Sequence, residues 1–326
     1  MKCLALFSGG LDSMLAIKII SDLGISVTAL HFNIGFGGKE DKSEIMKKRA
    51  NQAGGEFKLV DVRNEYLQKV LFSPKYGYGK HFNPCIDCHG FMLKTALSML
   101  ESEKANFIIT GEVVGQRPMS QRSAALNQVL GVSGDTQNLI LRPLCAKLLK
   151  PSMAEINGWV DREKLLDISG RSRTRQMELA KIYGFSDYET PGGGCLLTIE
   201  SFAEKIRDMI KFEKIETSKD TEILKFGRHL RLENGAKMVV GKDESDNEKL
   251  RQIANEKFNE IKIPLIGACS LISKNASYDD LRTAAKIALT YAKSEFDKEY
   301  EVQIDEKKFT ATPLKSKDEI KKYFIG

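Results

Sequence analysis

Six cysteines are spread along the 326 residues, and two of them form a C-x-x-C pair in the segment "NPCIDCHG" at residues 83–90. The spacing of Cys85 and Cys88 suits a dithiol redox site, half of a zinc site, or an iron–sulfur or sulfur-transfer centre. A thioredoxin-type dithiol is disfavoured because that fold places its C-x-x-C early, where this chain has a glycine loop instead. A zinc site would need further ligands, such as Cys195 and His89, because the sequence has no second close pair.

The glycine loop is "SGGLDS", at residues 8–13, which follows the apolar run "CLALF". Backbone N–H groups at the start of a helix, together with the helix dipole, form a site for anions such as phosphate. Glycines allow the main chain to approach such an anion closely. The loop lacks the lysine of the Walker pattern, so it does not predict a kinase or GTPase.

Both motifs must be positioned by an ordered framework, and the sequence predicts one. Short buried strands, "CLALF", "VTALHF", "FKLVDV", "NFIIT" and "NLILRP", alternate with stretches of helical periodicity. This alternation predicts an α/β fold with a doubly wound parallel sheet. Ligands of such a sheet bind beyond the carboxyl ends of its strands, which is where the glycine loop lies.

Length and composition are typical of an ordinary globular protein with two or three domains. Hydrophobic residues make up 42% of the chain, charged residues 29%, and the formal net charge is +6. The modest positive charge permits nucleic-acid binding without requiring it. The N-terminal apolar run is too short for a signal peptide or a spanning helix, so we expect a cytoplasmic protein with no membrane partner, whose cysteines are thiols or metal ligands.

The loop "SGGLDS" resembles the S-G-G-x-D-S signature of the PP-loop pyrophosphatases, which cut ATP between its α- and β-phosphates. The resemblance implies that ATP and Mg²⁺ are cofactors and that Asp12 helps to position the metal. It further implies a nucleotide site in which the backbone near Phe32 contacts adenine and Gly111 lies beside the nucleotide. The implied pyrophosphate ligands are Ser8, Gly9, Gly10 and Ser13. Gly111 belongs to "TGEVVGQRPMSQR", which resembles a stretch of tRNA 4-thiouridine synthases.

A second resemblance concerns the cysteines. "NPCIDC" is similar to the N-P-x-x-x-C segment of tRNA 2-thiouridylases, and "PGGGC" places Cys195 where such enzymes carry their second essential cysteine. In relatives with this pattern three thiolates hold a 4Fe-4S cluster with one open iron. The resemblance therefore implies Cys85, Cys88 and Cys195 as metal ligands, and Asp12, Cys88 and Cys195 as catalytic residues. In an alternative without a cluster, Cys88 carries a persulfide that Cys195 resolves.

The second half of the chain has a different pattern. The segment "FGRHLRLENGAKMVVGKDESDNEKL" resembles NFACT-type RNA-binding domains. We expect a hairpin with a two-residue turn at Asn234-Gly235, helices in "DNEKLRQIANEKF" and "YDDLRTAAKIALTYAK", and strands in "IPLIGACSL" and "EYEVQI". The predicted division is an ATP-binding domain at 1–165, a helical and cysteine-loop segment at 166–216, and a smaller α+β domain at 217–326.

Basic residues suited to RNA phosphates are Arg171, Arg173 and Arg175 in "SGRSRTR", with Arg142, Lys147 and Lys150 nearby in the sequence. The resemblances predict an ATP-dependent sulfurtransferase that adenylates a nucleobase carbonyl of tRNA or another RNA and replaces the oxygen with sulfur. Its further partner is a sulfur donor, either free sulfide or a persulfide carrier, and a homodimer is a possible assembly. The open alternatives are an amidating or nitrile-forming ligase with structural zinc and a non-catalytic RNA-binding protein.

Overall fold

The computed structural model describes residues 1–189, 194–253 and 257–326. The chain divides into two compact units, residues 1–195 and residues 196–326. Within the described residues, no helix is long and apolar enough to cross a bilayer.

The first unit contains the predicted parallel sheet. Its strands lie in the order β3-β2-β1-β4-β5 and all neighbours are parallel. The order reverses direction at β1, which is the arrangement of a doubly wound sheet. The strands are β1 (Lys2–Leu6), β2 (Ser26–Asn33), β3 (Gly55–Asp61), β4 (Phe107–Thr110) and β5 (Ile140–Leu141).

Helices cover both faces of this sheet. Successive residues of a strand point to opposite sides, so both faces carry apolar side chains that the helices bury. In β1, Cys3 and Ala5 belong to one buried cluster and Leu4 to the other. The predicted α/β fold class is therefore confirmed. The helices of this unit are α1 (Leu11–Ser21), α2 (Ser43–Gln52), α3 (Arg63–Tyr66), α4 (Cys85–Met99), α5 (Ser123–Ser133), α6 (Met153–Ile156) and α7 (Thr174–Ile182), with a π-helical turn at Leu67–Leu71.

The predicted segment 166–216 does not form a unit of its own. Ile168, Ala180 and Phe185 are buried in the same cluster as β1 and α1, so this part of the segment packs with the parallel sheet, and the first unit ends at Cys195. The remainder of the segment belongs to the second unit. Burial of these apolar side chains explains why the division differs from the one that composition suggests.

The second unit is an antiparallel six-stranded sheet in the order β11-β10-β8-β9-β7-β6, with helices. The apolar face of α11 packs in its core with Leu281, Ala284 and Ala288. The predicted α+β class of this part is confirmed. Its elements are α8 (Glu200–Phe212), α9 (Ser218–Glu222), β6 (Arg228–Arg231), β7 (Lys237–Val240), α10 (Glu244–Ile253), β8 (Phe258–Lys262), β9 (Ser270–Ser273), α11 (Tyr278–Thr290), β10 (Tyr300–Ile304) and β11 (Lys307–Ala311).

Two local predictions for this unit were wrong in detail. The hairpin of β6 and β7 exists, but its loop has three residues, because Leu232 N–H donates to the Ala236 carbonyl at 2.9 Å and, in the turn, only Gly235 has a positive φ. The Asn234 side chain instead donates to Asp280. In addition, Phe258 begins a strand instead of ending a helix.

Candidate functional site

The glycine loop lies between β1 and α1, as the sequence predicts. Gly9 has a φ of +72°, a backbone conformation that favours glycine, and a Cβ there would lie 2.2 Å from the sulfur of the Met46 side chain, which would have to move. The Ser13 hydroxyl donates to the Gly10 carbonyl at 2.8 Å and lies 3.4 Å from the Ser8 hydroxyl. These contacts place the loop and the first turn of α1 at the carboxyl end of β1, in a geometry suited to an anion. We refer to this glycine loop, residues 8–13, as the phosphate loop.

Asp12, in the first turn of α1, accepts two hydrogen bonds from distant parts of the chain. Gln116 Nε2 donates to Oδ2 at 2.6 Å, and Arg173 Nη2 donates to Oδ1 at 3.3 Å. The Asp12 side chain is 16% exposed. A partly buried carboxylate at a phosphate loop is a group that could coordinate Mg²⁺.

Gly111 follows β4 and packs directly on the first turn of α1. A Cβ at Gly111 would lie 2.6 Å from the Asp12 carbonyl carbon and from the Ser13 nitrogen. Backbone atoms cannot move aside as a flexible side chain can, so the close approach requires glycine. Gly111 thus supports the phosphate loop, while the predicted contact of Gly111 with a nucleotide stays a prediction.

The cysteine pair lies in the first turn of α4, where the Cys88 N–H donates to the Pro84 carbonyl at 2.8 Å. Asn83 Nδ2 donates to the Cys85 sulfur at 3.2 Å. The buried Asp87 carboxylate accepts hydrogen bonds from the backbone N–H groups of Lys75 and Tyr76. These bonds hold the preceding loop against the start of α4 and fix the position of the two thiols.

Cys195 lies near this pair, although it is 107 positions after Cys88 in the sequence. Burial and the nearby Cys195 thiolate raise the pKa of the Cys88 thiol, although the residue as a whole is only half-buried. Burial, together with the charges of all three cysteines, also raises the pKa of Tyr66. The structure therefore brings Cys85, Cys88 and Cys195 together around one fully buried tyrosine.

Tyr66 is a part of this site that the sequence analysis missed. Its ring packs edge-on against Phe91 of α4, with the centroids 6.0 Å apart. Its buried hydroxyl has no hydrogen-bond partner of good geometry among the described residues. The adjacent π-helical turn, Leu67–Leu71, is a rare element that often marks functional sites, but no pattern in the sequence predicts it.

A buried ion-pair network links the cysteine helix to the sheet. Glu112 accepts from Arg142 Nε at 2.9 Å and lies 2.9 Å from His89 Nδ1. Burial alone would raise the pKa of Glu112, but Arg142 and His89 outweigh it and lower the pKa to about 2. Arg142, which lies near the predicted RNA-contacting arginines in the sequence, is buried in this network and unavailable to phosphates.

The three arginines of "SGRSRTR" have different environments. Arg171 is exposed, and Arg175 is exposed and pairs with Asp167 at 2.6 Å. Arg173 is only 18% exposed and pairs with Asp12. Phe32 is buried in β2, where it packs with Leu93 and Ile108. The glycine-rich residues 190–193 that precede Cys195 lie outside the described residues.

Donor atoms suited to a soft metal are present in the three converging thiols. Among residues 1–189, 194–253 and 257–326, no three His, Cys, Asp or Glu side chains are arranged to hold a single metal ion. A four-iron cluster makes a different demand, because each thiolate binds a separate iron. The donor set therefore fits such a cluster by its chemistry.

Comparisons with known proteins agree with these observations. The family model described as thiamine biosynthesis protein (ThiI) matches residues 1–157. The model described as NFACT protein RNA binding domain matches residues 227–324. The predicted resemblance is confirmed. The ThiI-like segment contains the phosphate loop, Gly111 and the C-x-x-C pair, and the NFACT-like segment contains the antiparallel sheet.

Individual relatives match part of the chain. A probable tRNA sulfurtransferase of Natranaerobius thermophilus is 30% identical over 47% of this chain and 37% of its own length. A tRNA-specific 2-thiouridylase MnmA of Syntrophomonas wolfei is 31% identical over 30% of each chain. A crystal structure of a 4-thiouridine synthetase–RNA complex with bound ATP is 20% identical, with a TM-score of 0.44 over 69% of this chain and 52% of that one. The chain thus spans less than half the length of these two sequence relatives.

Proposed function

We propose that this protein is an ATP-dependent tRNA thiolation enzyme that replaces a nucleobase carbonyl oxygen with sulfur. The observation that carries the proposal is the presence, in one compact unit, of an adenylating phosphate loop and three converging cysteines. The ThiI-like segment and the sulfurtransferase relatives support this proposal. Because its substrate is tRNA, we place the enzyme in the cytoplasm.

The first step forms an adenylate. The nucleobase carbonyl oxygen attacks the α-phosphorus of ATP, and pyrophosphate leaves. Ser8, Ser13 and the loop N–H groups bind the pyrophosphate, and Asp12 binds the accompanying Mg²⁺. Neutralising the charge of the leaving group in a preorganised loop lowers the barrier to this step.

The second step replaces AMP. A sulfide equivalent from a sulfur donor attacks the activated carbon, and AMP leaves with the original oxygen. We propose that Cys85, Cys88 and Cys195 hold a 4Fe-4S cluster, which when bound supplies an open iron that activates sulfide. Tyr66 and the Glu112 network keep the thiols in position.

RNA binding is assigned to two parts of the chain. The NFACT-like segment supports an RNA-binding role for residues 227–324. In the first unit, the exposed Arg171 and Arg175 would contact phosphates and position the RNA without reading its sequence.

The metal content tests the cysteine assignment. We expect protein purified without oxygen to contain about four irons and four labile sulfides per chain. Cys195→Ala should lose most of the iron, whereas Cys269→Ala, in a buried site of the second unit, should keep it. Stoichiometric zinc without iron would overturn the cluster and favour the ligase alternative.

The RNA product tests the function itself. Total tRNA from a deletion strain should lack one thionucleoside by mass spectrometry, and the wild-type gene should restore it, whereas the Asp12→Ala gene should not. A nucleoside profile unchanged by the deletion would exclude thiolation.

A further inference from the structure

The Asp12 carboxylate, which the proposed function requires for Mg²⁺, is paired with a cationic side chain of the same chain. Its partner is the Arg173 guanidinium, at 3.3 Å, although the two residues are 161 positions apart in the sequence. A carboxylate that must receive a cation during catalysis has to give up this pairing. The ion pair therefore competes with Mg²⁺ for Asp12.

Arg173 lies in a largely buried environment with unused donor capacity. Its Nε atom is buried and has no hydrogen-bond partner among the described residues. Gln116 connects the ion pair to the fully buried Gln176, whose Nε2 donates to Gln116 Oε1 at 2.8 Å. This amide pair can continue to hold Asp12 through Gln116 when Arg173 moves.

The chemistry of a guanidinium suits a phosphate at this position. Arginine presents several N–H donors in one plane, which match two phosphate oxygens, and it is always charged. Arg173 precedes α7 and reaches the first turn of α1, which follows the phosphate loop directly. Of the three arginines in its segment, it alone contacts that turn, since Arg171 and Arg175 are exposed.

We propose that Arg173 is a phosphate-binding catalytic residue that exchanges partners during the reaction. In the structure it is paired with Asp12. When ATP arrives with Mg²⁺, the cation takes the Asp12 carboxylate, and the released guanidinium binds the pyrophosphate that leaves as the adenylate forms. This inference rests on the proposed function and assigns to Arg173 a role in the nucleotide site instead of in RNA binding.

The exchange of partners predicts an effect on pyrophosphate affinity that the loss of the Asp12 charge alone does not predict. Asp12→Asn frees Arg173, so it should strengthen pyrophosphate binding without Mg²⁺ while abolishing the further gain that Mg²⁺ gives. Removing a negative charge also reduces repulsion, and that part of the effect does not need Arg173. The share that depends on Arg173 appears only in a double-mutant comparison.

The experiment is calorimetric titration of the full chain with pyrophosphate, with and without Mg²⁺. The variants are Asp12→Asn, Arg173→Gln and the double variant, with Lys181→Gln as a charge-matched control on the exposed side of α7. We expect Arg173→Gln to weaken Mg²⁺-pyrophosphate binding about tenfold or more, because a charge-assisted hydrogen bond is lost. Arg173→Lys should restore part of the affinity, and Lys181→Gln should leave it unchanged.

The outcomes separate this inference from the proposed function. Asp12→Asn should raise Mg²⁺-free affinity several-fold in the wild-type background and much less in the Arg173→Gln background. Equal gains in both backgrounds, or unchanged binding by a folded Arg173→Gln protein, would overturn the inference and leave the proposed function standing. If wild-type protein binds neither ATP nor pyrophosphate, the proposed function itself fails. Circular dichroism establishes that each variant is folded.

Discussion

The backbone N–H of Glu189 donates a hydrogen bond of 2.9 Å to the carbonyl oxygen of Gly9. A parallel bridge between Gly10 and Glu189 extends this contact. Glu189 lies six residues before Cys195. The phosphate loop and the segment that leads to the third cysteine are therefore joined by main-chain bonds, so the position of one restricts the other.

Arg49 should hold this junction together. Its side chain, 7% exposed, donates to Asp187 at 2.7 Å and to Glu189 at 3.1 Å. Arg49→Gln removes the charge that pairs both carboxylates, so we expect faster hydrogen exchange at the Glu189 amide by mass spectrometry. Lys308→Gln, which breaks an exposed pair with Glu301 in the second unit, is the control. Unchanged exchange at Glu189 in the Arg49 variant would contradict the role.

Gly111→Ala should damage the phosphate loop. The added methyl would meet the backbone of Asp12 and Ser13 at 2.6 Å. Overpacking of this kind costs about 1–3 kcal/mol, which corresponds to roughly tenfold or more in ATP affinity if the loop is displaced. Gly131→Ala, inside α5 with open space around it, should leave ATP binding unchanged and stabilise the helix by about 1 kcal/mol. Titration with ATP and urea unfolding measure the two effects.

Tyr66→Phe should not destabilise the metal-free protein. The Tyr66 hydroxyl is buried next to the Cys88 thiol, a weak hydrogen-bonding group with which it makes no well-aligned bond, so removing the hydroxyl relieves part of a desolvation cost of about 1 kcal/mol. Tyr78→Phe is the matched control, because that hydroxyl donates to the Leu71 carbonyl at 2.7 Å and its loss should cost about 1 kcal/mol. Urea unfolding of the metal-free variants tests this; similar losses for both would show that Tyr66 has a partner.

Asp208→Asn should destabilise the second unit. Asp208 accepts from Arg231 at 2.6 Å and from Lys237, 1% exposed, at 2.7 Å. Without the carboxylate these two cations lose their shared counter-charge, which we expect to cost about 3–5 kcal/mol at neutral pH. Glu301→Gln, in an exposed pair with Lys308, should cost less than about 1 kcal/mol. Hydrogen exchange along β7 reports the loss in each variant.

The pH dependence of that loss has a definite sign. Burial raises the pKa of Asp208, but the bonds from Arg231 and Lys237 outweigh it and hold the pKa below its usual value of 3.8. The stabilisation is therefore fully present well above pH 3.8 and is lost as pH falls through the lowered pKa. The difference between wild type and Asp208→Asn should be constant from pH 7 to about pH 5 and shrink in stronger acid. A difference that grows on acidification would contradict this assignment.

Local patterns were sufficient for the framework of the first unit. The five predicted runs became β1 to β5, and those of β1, β2, β4 and β5 are largely buried, because strands covered on both faces are almost wholly apolar. β3 lies at the edge of the sheet, and only its Gly55 is buried. The phosphate loop was predictable as well, because it depends only on the glycines of "SGGLDS" and on the strand directly before them. In the second unit β8 was missed, because "FNEIK" buries only Phe258 and Ile261 and becomes a strand by pairing with β9 and β10.

The sequence by itself determined the α/β framework, the phosphate loop and the cysteine pair, because each depends on neighbours along the chain. Only the tertiary structure decided which side chains meet: Arg173 with Asp12, Arg142 with Glu112, and Tyr66 with the cysteines. These contacts depend on how strands and helices that are far apart in the sequence pack against each other. Hydrophobic periodicity specifies which face of an element is buried, but not which polar group of a distant element lies opposite.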